Sequence, residues 1–243
     1  MNSFGNPITP HTTDRARRAA LVALSTFAAW SALPALPAHA AERSDAEDLV
    51  EKSRQTVQAL AADQDFIEMR RALAQAKAVL VFPQVLRAGF IVGGAGGSGV
   101  LMVRDAATGA WSGPAFYTMG SASVGLQAGA SAAETLMVIQ SQKALDSLYT
   151  NKLKLGTDAS AALGSRGGEK GSSLTADFVV FAKVRGAFAG VTVDGAVLDV
   201  RQTLNTAYYG QEATPLDILV KRSVRRPEAA GLQATLADAA RLP

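Results

Sequence analysis

Ala88-Gly-Phe-Ile-Val-Gly-Gly-Ala-Gly-Gly-Ser-Gly-Val-Leu-Met-Val103 decides how the rest of the chain is read. Within it, Gly94-Ala-Gly-Gly-Ser-Gly99 has the G-x-G-x-x-G spacing of a dinucleotide-binding turn. That chemistry requires a helix to open at the glycines and present its N-terminal amides to a pyrophosphate. Here Val100-Leu-Met-Val103 continues as an apolar strand and turns at Arg104-Asp105. The glycines therefore belong to a strand pair, where they mark bulges and sharp bends that curl a sheet toward a barrel.

The pattern extends outward in both directions. Short apolar runs bounded by Gly, Pro and Asp predict strands over 79–82, 89–92, 100–103, 115–119, 123–127 and 135–139, and eleven glycines fall between Gly89 and Gly129. Strands resume over 178–184, 188–193 and 196–200, with Asp194-Gly195 as a hairpin turn. Before this region, Ser44-Asp-Ala-Glu47 reads as a capping box, and Ala46, Leu49, Val50, Val57 and Leu60 recur at helical spacing. A second helical run carries Phe66, Ile67, Met69 and Leu73. Residues 141–151 predict a short helix, and 156–176 a Gly/Ala/Ser-rich loop. Thr214-Pro215 opens a helix that Pro227 stops, and an Ala-rich helix follows. The expected fold is α+β: one domain with a Gly-rich, strongly curved, mostly antiparallel, barrel-like sheet flanked by N- and C-terminal helices.

The N-terminus reads differently. Arg15-Ala-Arg-Arg18 is a basic run, 19–33 (AALVALSTFAAWSAL) is apolar, and Ala38-His-Ala40 has the A-x-A form of a cleavage site. The apolar run is shorter than the ~20 residues that span a bilayer. Residues 1–40 are therefore expected to be a signal peptide cut between Ala40 and Ala41, leaving 41–243 in the periplasm or outside the cell. An uncleaved anchor is the alternative, and Arg17-Arg18 matches a twin-arginine signal only loosely, so the export route stays open.

Composition restricts the chemistry. There is no Cys, and both histidines, His11 and His39, lie in the expected signal. The mature chain thus lacks Ser-His-Asp and Cys-His catalysis and any His- or Cys-bound zinc. No Lys stands at S-x-x-K spacing from a Ser, and no Asp/Glu pair sits in a recognisable motif. Gly164-Ser-Arg-Gly-Gly-Glu-Lys-Gly171 lacks the Ser or Thr that follows the lysine of a phosphate loop. Without residues 1–40, 21 basic and 20 acidic side chains remain, too even a balance for a nucleic-acid binder. The expectation is no enzyme, no cofactor and no metal.

Several ordered motifs are similar to those of the SYLF-domain family. Ala76-Lys-Ala-Val-Leu-Val-Phe-Pro83 resembles its opening strand, and Ala88 to Val100 its Gly-rich strand pair. Trp111-Ser-Gly-Pro-Ala-Phe-Tyr117 followed by Ser123-Val-Gly-Leu-Gln127 is the most specific match; Gly186 to Gly195 and Tyr208-Tyr-Gly210 complete it, so the resemblance covers about residues 45–240. It implies a phospholipid-binding module that acts at a membrane surface or carries an acyl chain, without catalysis. Some eukaryotic members bind phosphoinositides or actin and carry an SH3 domain, for which no sequence remains here. The alternative is an envelope structural or protein-interaction module without a lipid site.

Two routes to lipid are open. Lys221, Arg222, Arg225 and Arg226 are spaced to share one face of a helix, with Lys152 and Lys154 as a smaller basic candidate, and each cation near an anionic surface contributes about 1 kcal/mol. Alternatively, a curled sheet encloses an acyl chain among Phe90, Trp111, Phe116 and Tyr117, of which Trp111 and Tyr117 also suit an interface. The oligomeric state is left open.

Overall fold

The computed structural model describes residues 38–89, 92–124, 129–150, 152–164, 176–184, 187–188, 193 and 195–241. The expected basic and apolar parts of the signal, Phe90, Asp194, most of the 123–127 and 188–193 strands and most of the 164–171 phosphate-loop lookalike lie outside them.

Strand β1 (Ala78–Gly89) is the centre of the fold. Its first five residues are wholly buried, so this part has covered faces on both sides instead of an alternating pattern. β1 pairs antiparallel with β2 (Val92–Val103) on one side and β4 (Gly129–Ile139) on the other; β3 (Ala115–Val124) pairs with β2. Both ladders of β1 shift register around Pro83-Gln84, a bulge against each neighbour. Pro has no N–H to give a ladder, so it fits where pairing is interrupted.

This bulge accounts for the glycines. A Cβ on Gly97 would lie 2.4 Å from the Gln84 carbonyl oxygen, and one on Gly99 2.4 Å from that of Val81 and 2.6 Å from the Phe82 ring. The backbone of β1 passes so close to β2 that only glycine fits at these two positions. The strand expected at 100–103 is thus the end of a longer one that begins at Val92, the 89–92 run straddles the end of β1 and the start of β2 with residues 90–91 outside the described ones, and the runs at 115–119 and 123–124 join through Gly120. Glycine marked a close approach here, not a strand end.

The remaining strands are β5 (Leu153–Lys154), β6 (Ala161–Leu163), β7 (Phe178–Val184), β8 (Ala187–Phe188) and β9 (Val197–Val200). The sheet order is β5-β9-β3-β2-β1-β4-β7-β6, with β8 on β7; only β6 with β7 is parallel. Laid flat, eight strands would separate β5 from β6 by about 34 Å. Yet a tight turn joins them: the Asp158 amide donates to the Lys154 carbonyl at 2.8 Å and Leu155 bridges Ala159. Leu155 bonds toward β9 through Ala196, while Ser160 accepts from Phe178 of β7. The two margins of the sheet are therefore clasped within a few residues, and the sheet must curl into a half-barrel.

Helix α1 (Ala38–Ala62) buries Ala46, Val50, Val57 and Leu60. It begins six residues before Ser44, so the expected capping box is overturned: the Ala-rich segment ahead of Ser44 is itself a good helix former. Ala40 and Ala41 lie exposed near its start. Helix α2 (Ile67–Gln75) buries Met69, Ala72 and Leu73, and α3 (Gln142–Thr150) matches its expected position. Helix α4 (Gln202–Tyr209) was not expected; Gly210, in the left-handed region at φ 72°, ends it. It is held to β3 by the Phe116 amide, which donates to Asn205 Oδ1 at 2.9 Å, and by Tyr209, which donates to the Pro114 carbonyl at 2.9 Å. A π-helical turn (Leu216–Val220), a 3-10 turn (Pro227–Ala229) and helix α5 (Ala230–Ala239) complete the unit. The α+β architecture with one curled sheet stands as expected.

Candidate functional site

The structure dissolves the basic cluster expected near the C-terminus. Thr214 and Asp217 cap a helix start as the sequence suggests, with the Thr214 hydroxyl donating to Asp217 at 2.6 Å. The helix stops at Val220, not at Pro227, and Arg222 takes a left-handed φ of 52°. Lys221, Arg222, Arg225 and Arg226 therefore share no helical face. Lys221 donates to Asp217 at 2.9 Å, and Arg222 faces Asp105 at 3.3 Å. Arg226 meets Glu228 at 3.3 Å and Glu47 at 3.5 Å and lies over the Tyr208 ring at 5.8 Å. Only Arg225 of the four is exposed without an ion pair among the described residues. Arg222 and Arg226 are clamps between chain segments, and Lys221 closes its own turn. Lys152 likewise meets Asp199 of β9 at 2.8 Å, and that bond raises its pKa; Lys154 is exposed on β5.

Of the aromatic candidates, Trp111, Phe116 and Tyr117 are core. Tyr117 is fully buried and donates its hydroxyl to the Leu148 carbonyl at 2.6 Å; burial pushes its pKa well above the ordinary tyrosine value. Trp111 is 6% exposed, with its carbonyl accepting from Gln233 at 3.1 Å. Leu80, Val81, Leu101, Phe116 and Leu136 are also fully buried. The volume that an enclosed acyl chain would occupy is filled by these side chains, so neither Trp111 nor Tyr117 reaches a surface to act at an interface.

Four carboxylates are committed to structure. Hydrogen bonds from Arg54 and Gln55 hold Glu51 down at about 2, and bonds from Thr214 and Lys221 hold Asp217 at about 2. Asp105 and Asp177 are lowered too, by Thr108 in the first case and Ser141 in the second. A carboxyl that serves as a general acid needs its pKa raised, the opposite direction. Among the described residues no three His, Cys, Asp or Glu side chains converge as a metal site, and no helix is long and apolar enough to cross a membrane.

The open surface lies elsewhere. Beyond the Pro83-Gln84 bulge, the central strands run on as a four-stranded blade ordered β3-β2-β1-β4. Leu86 stands opposite Gly96 and Ala132, and Gly96 opposite Gly120; the next row aligns Ala88, Gly94, Ala122 and Ala130. Directly opposed residues point to one face of a sheet. These two rows hold no charge and no polar side chain, and Leu86 at their centre is 56% exposed. The other face turns Val85, Met119 and Ala133 into the core. An uncovered apolar sheet face of this kind marks an interaction surface.

A groove of ≈ 470 Å³ opens at the foot of the blade. Lys52, Gln55 and Thr56 of α1 form one wall; Pro83-Gln84, Ala132 to Glu134 and Lys183 form the rest. Glu134 and Lys183 are cross-strand partners, but the Lys183 ammonium turns to Asp63 at 2.8 Å. Among the described residues, Lys52 and Glu134 have no ion-pair partner. Sequence reasoning did not single out Lys52, Leu86, Gly120, Glu134 or Lys183 as site residues. The one legible signal was the uncharged Gly/Ala/Ser run on either side of position 125.

A family model described as Ysc84, Las17-binding protein actin regulator, matches residues 120–239. LAS seventeen-binding protein 3 of Saccharomyces cerevisiae is 32% identical over 164 residues, covering 65% of this chain and 35% of the yeast protein. SH3 domain-containing YSC84-like protein 1 of Bos taurus is 29% identical over 177 residues, 71% of this chain and 51% of the bovine one; the human protein of the same name is 28% identical over 173 residues. The chain thus spans about a third to a half of the length of these relatives. No solved structure matches.

Proposed function

We propose that this chain, which belongs to the SYLF-domain (Ysc84) family, is a non-catalytic membrane-binding module that docks on phospholipid from outside the cytoplasm. The observation that carries the reading is the uncharged blade face around Leu86, which runs without a break into the groove of Lys52, Glu134 and Lys183. Apolar surface beside polar groups matches the layering of a bilayer interface, where acyl chains lie under head groups. The dissolved basic cluster argues against binding by charge alone. The Arg15–Arg18, 19–33 and Ala38–Ala40 pattern supports the location.

Vesicle flotation tests this. Fully burying a leucine side chain is worth about 1.5–3 kcal/mol, so the exposed part of Leu86 contributes roughly 1–1.5 kcal/mol, a five- to tenfold change in partitioning. Leu86→Ser is expected to lose that factor. Gly120→Glu places a charge in the same row, and a Cβ there meets nothing within 4 Å, so the fold tolerates it. Wild-type protein that stays unbound to every vesicle offered overturns the proposal.

A second reading, protein docking, has its own support. The relatives' names state Las17 binding for those proteins, and among the described residues β3 has no strand partner beyond Gly120 on the side away from β2. Such an edge accepts an added strand.

A further inference from the structure

We infer that the groove at the foot of the blade takes the zwitterionic head group of an aminophospholipid, its phosphate toward Lys52 and its ammonium at Glu134. The inference rests on the membrane reading above and specifies which lipid that same surface selects.

The charges decide it. Lys183 and Asp63 neutralise each other at 2.8 Å, which leaves Lys52 on the helix wall and Glu134 on the sheet wall. Among the described residues, one positive and one negative group remain without ion-pair partners. A purely anionic head group satisfies Lys52 but leaves Glu134 beside a phosphate, and like charges brought together in a partly desolvated site repel. A purely cationic ligand has the reverse problem. A head group with phosphate and ammonium joined by a two-carbon bridge answers both at once. Gln55 and Gln84, also in the lining, offer amide groups that donate and accept.

The amine is distinguished from choline by hydrogen bonding. An ammonium donates up to three N–H bonds to a carboxylate, and a quaternary ammonium donates none. A choline cation is best held by an aromatic cage, and the groove lining contains no aromatic residue.

The acyl chain has a continuous path. Ala132 lines the groove and also stands opposite Leu86 in the blade. A lipid with its head in the groove therefore lays its tail along the row Ala132, Leu86, Gly96 and Gly120, where small residues leave a shallow track beside the exposed leucine.

The test is co-sedimentation of the full chain with vesicles of phosphatidylcholine alone, or of its equimolar mixture with either phosphatidylethanolamine or phosphatidylglycerol. Wild type is expected to bind the ethanolamine mixture about tenfold better than phosphatidylcholine, the range of one charge-assisted contact. Glu134→Gln is expected to abolish that preference, and Leu86→Ser to lower binding to all three alike. Circular dichroism and the melting temperature confirm that each variant is folded. Wild type that binds vesicles but prefers phosphatidylglycerol, or Glu134→Gln that keeps the ethanolamine preference, overturns the head-group inference and leaves the membrane reading standing. Wild type that binds no vesicle overturns both. If it also sediments as a dimer that Leu86→Ser dissociates, the blade face belongs to a second copy.

Discussion

Three glycine-to-alanine substitutions separate close backbone approach from simple flexibility. Gly97, Gly99 and Gly120 all lie in the interior of Gly-rich strands, and sequence alone ranks them equally. The structure does not. An alanine Cβ at Gly97 or Gly99 would sit 2.4 Å from a carbonyl oxygen of β1, whereas one at Gly120 meets nothing within 4 Å. Overpacking a tight contact costs about 1–3 kcal/mol, and here the obstacle is backbone, which cannot rotate away. At Gly120 the only change is a less flexible unfolded chain and a better strand former, which stabilises by about 0.4–1 kcal/mol. Gly97→Ala and Gly99→Ala are therefore expected to lower stability by at least 1–3 kcal/mol, and Gly120→Ala to raise it slightly. For a chain of this size, that difference amounts to several degrees in Tm. Urea unfolding followed by circular dichroism measures it, with unchanged m-values certifying a true change of stability. Equal midpoints for the three variants would refute the bulge at Pro83-Gln84 as the reason for glycine in β2.

Arg226→Glu places a third carboxylate beside Glu47 and Glu228 and removes the cation from the Tyr208 ring; a loss of about 1–3 kcal/mol in thermal or urea unfolding is expected, with vesicle binding per folded molecule unchanged. Asp217 has a depressed pKa of about 2, so its bonds to Thr214 and Lys221 stabilise above the ordinary carboxylate range and are lost as pH falls toward 2; hydrogen exchange in 214–223 is expected to speed up over that window, and Asp217→Asn to flatten the dependence. Burial raises the pKa of Tyr117, Tyr208 and Tyr209, so their contribution is complete below about 10 and lost as pH rises beyond it; a spectrophotometric titration that finds all tyrosines ionising together near 10 in the native protein contradicts this packing. N-terminal sequencing of exported protein is expected to begin at Ala41; an intact Met1 or another start rejects the cleavage site.

Local periodicity was enough for α3, β7 and β9, whose apolar residues alternate or recur within one element and whose observed bounds fall within two residues of expectation. It failed where the cause of a residue lies in another strand. Gly97 is glycine because of Gln84, and Gly99 because of Val81, so the apolar pattern alone starts a strand at Val100 where β2 already runs from Val92. The basic cluster failed for a different reason: the helix start at Thr214 was legible, but the left-handed turn at Arg222 has no signature in an arginine. Helix α4 is short, and its apolar side chains bunch at Ala207, Tyr208 and Tyr209 in place of a spread stripe. The groove unites positions 52, 84, 134 and 183, and only the register of β1, β4 and β7 brings them together.

The clasp between β5 and β6 imposes an order on assembly. The four strands β1 to β4, ordered β3-β2-β1-β4, are complete in the chain by Ile139, and their pairings with one another need no later strand. The turn around Asp158 cannot fasten the two margins until β7 and β9 have both emerged, some sixty residues later. Until then the nascent sheet is an open ribbon with both rims exposed. Closing that ribbon into the half-barrel is therefore left to the last strands of the chain.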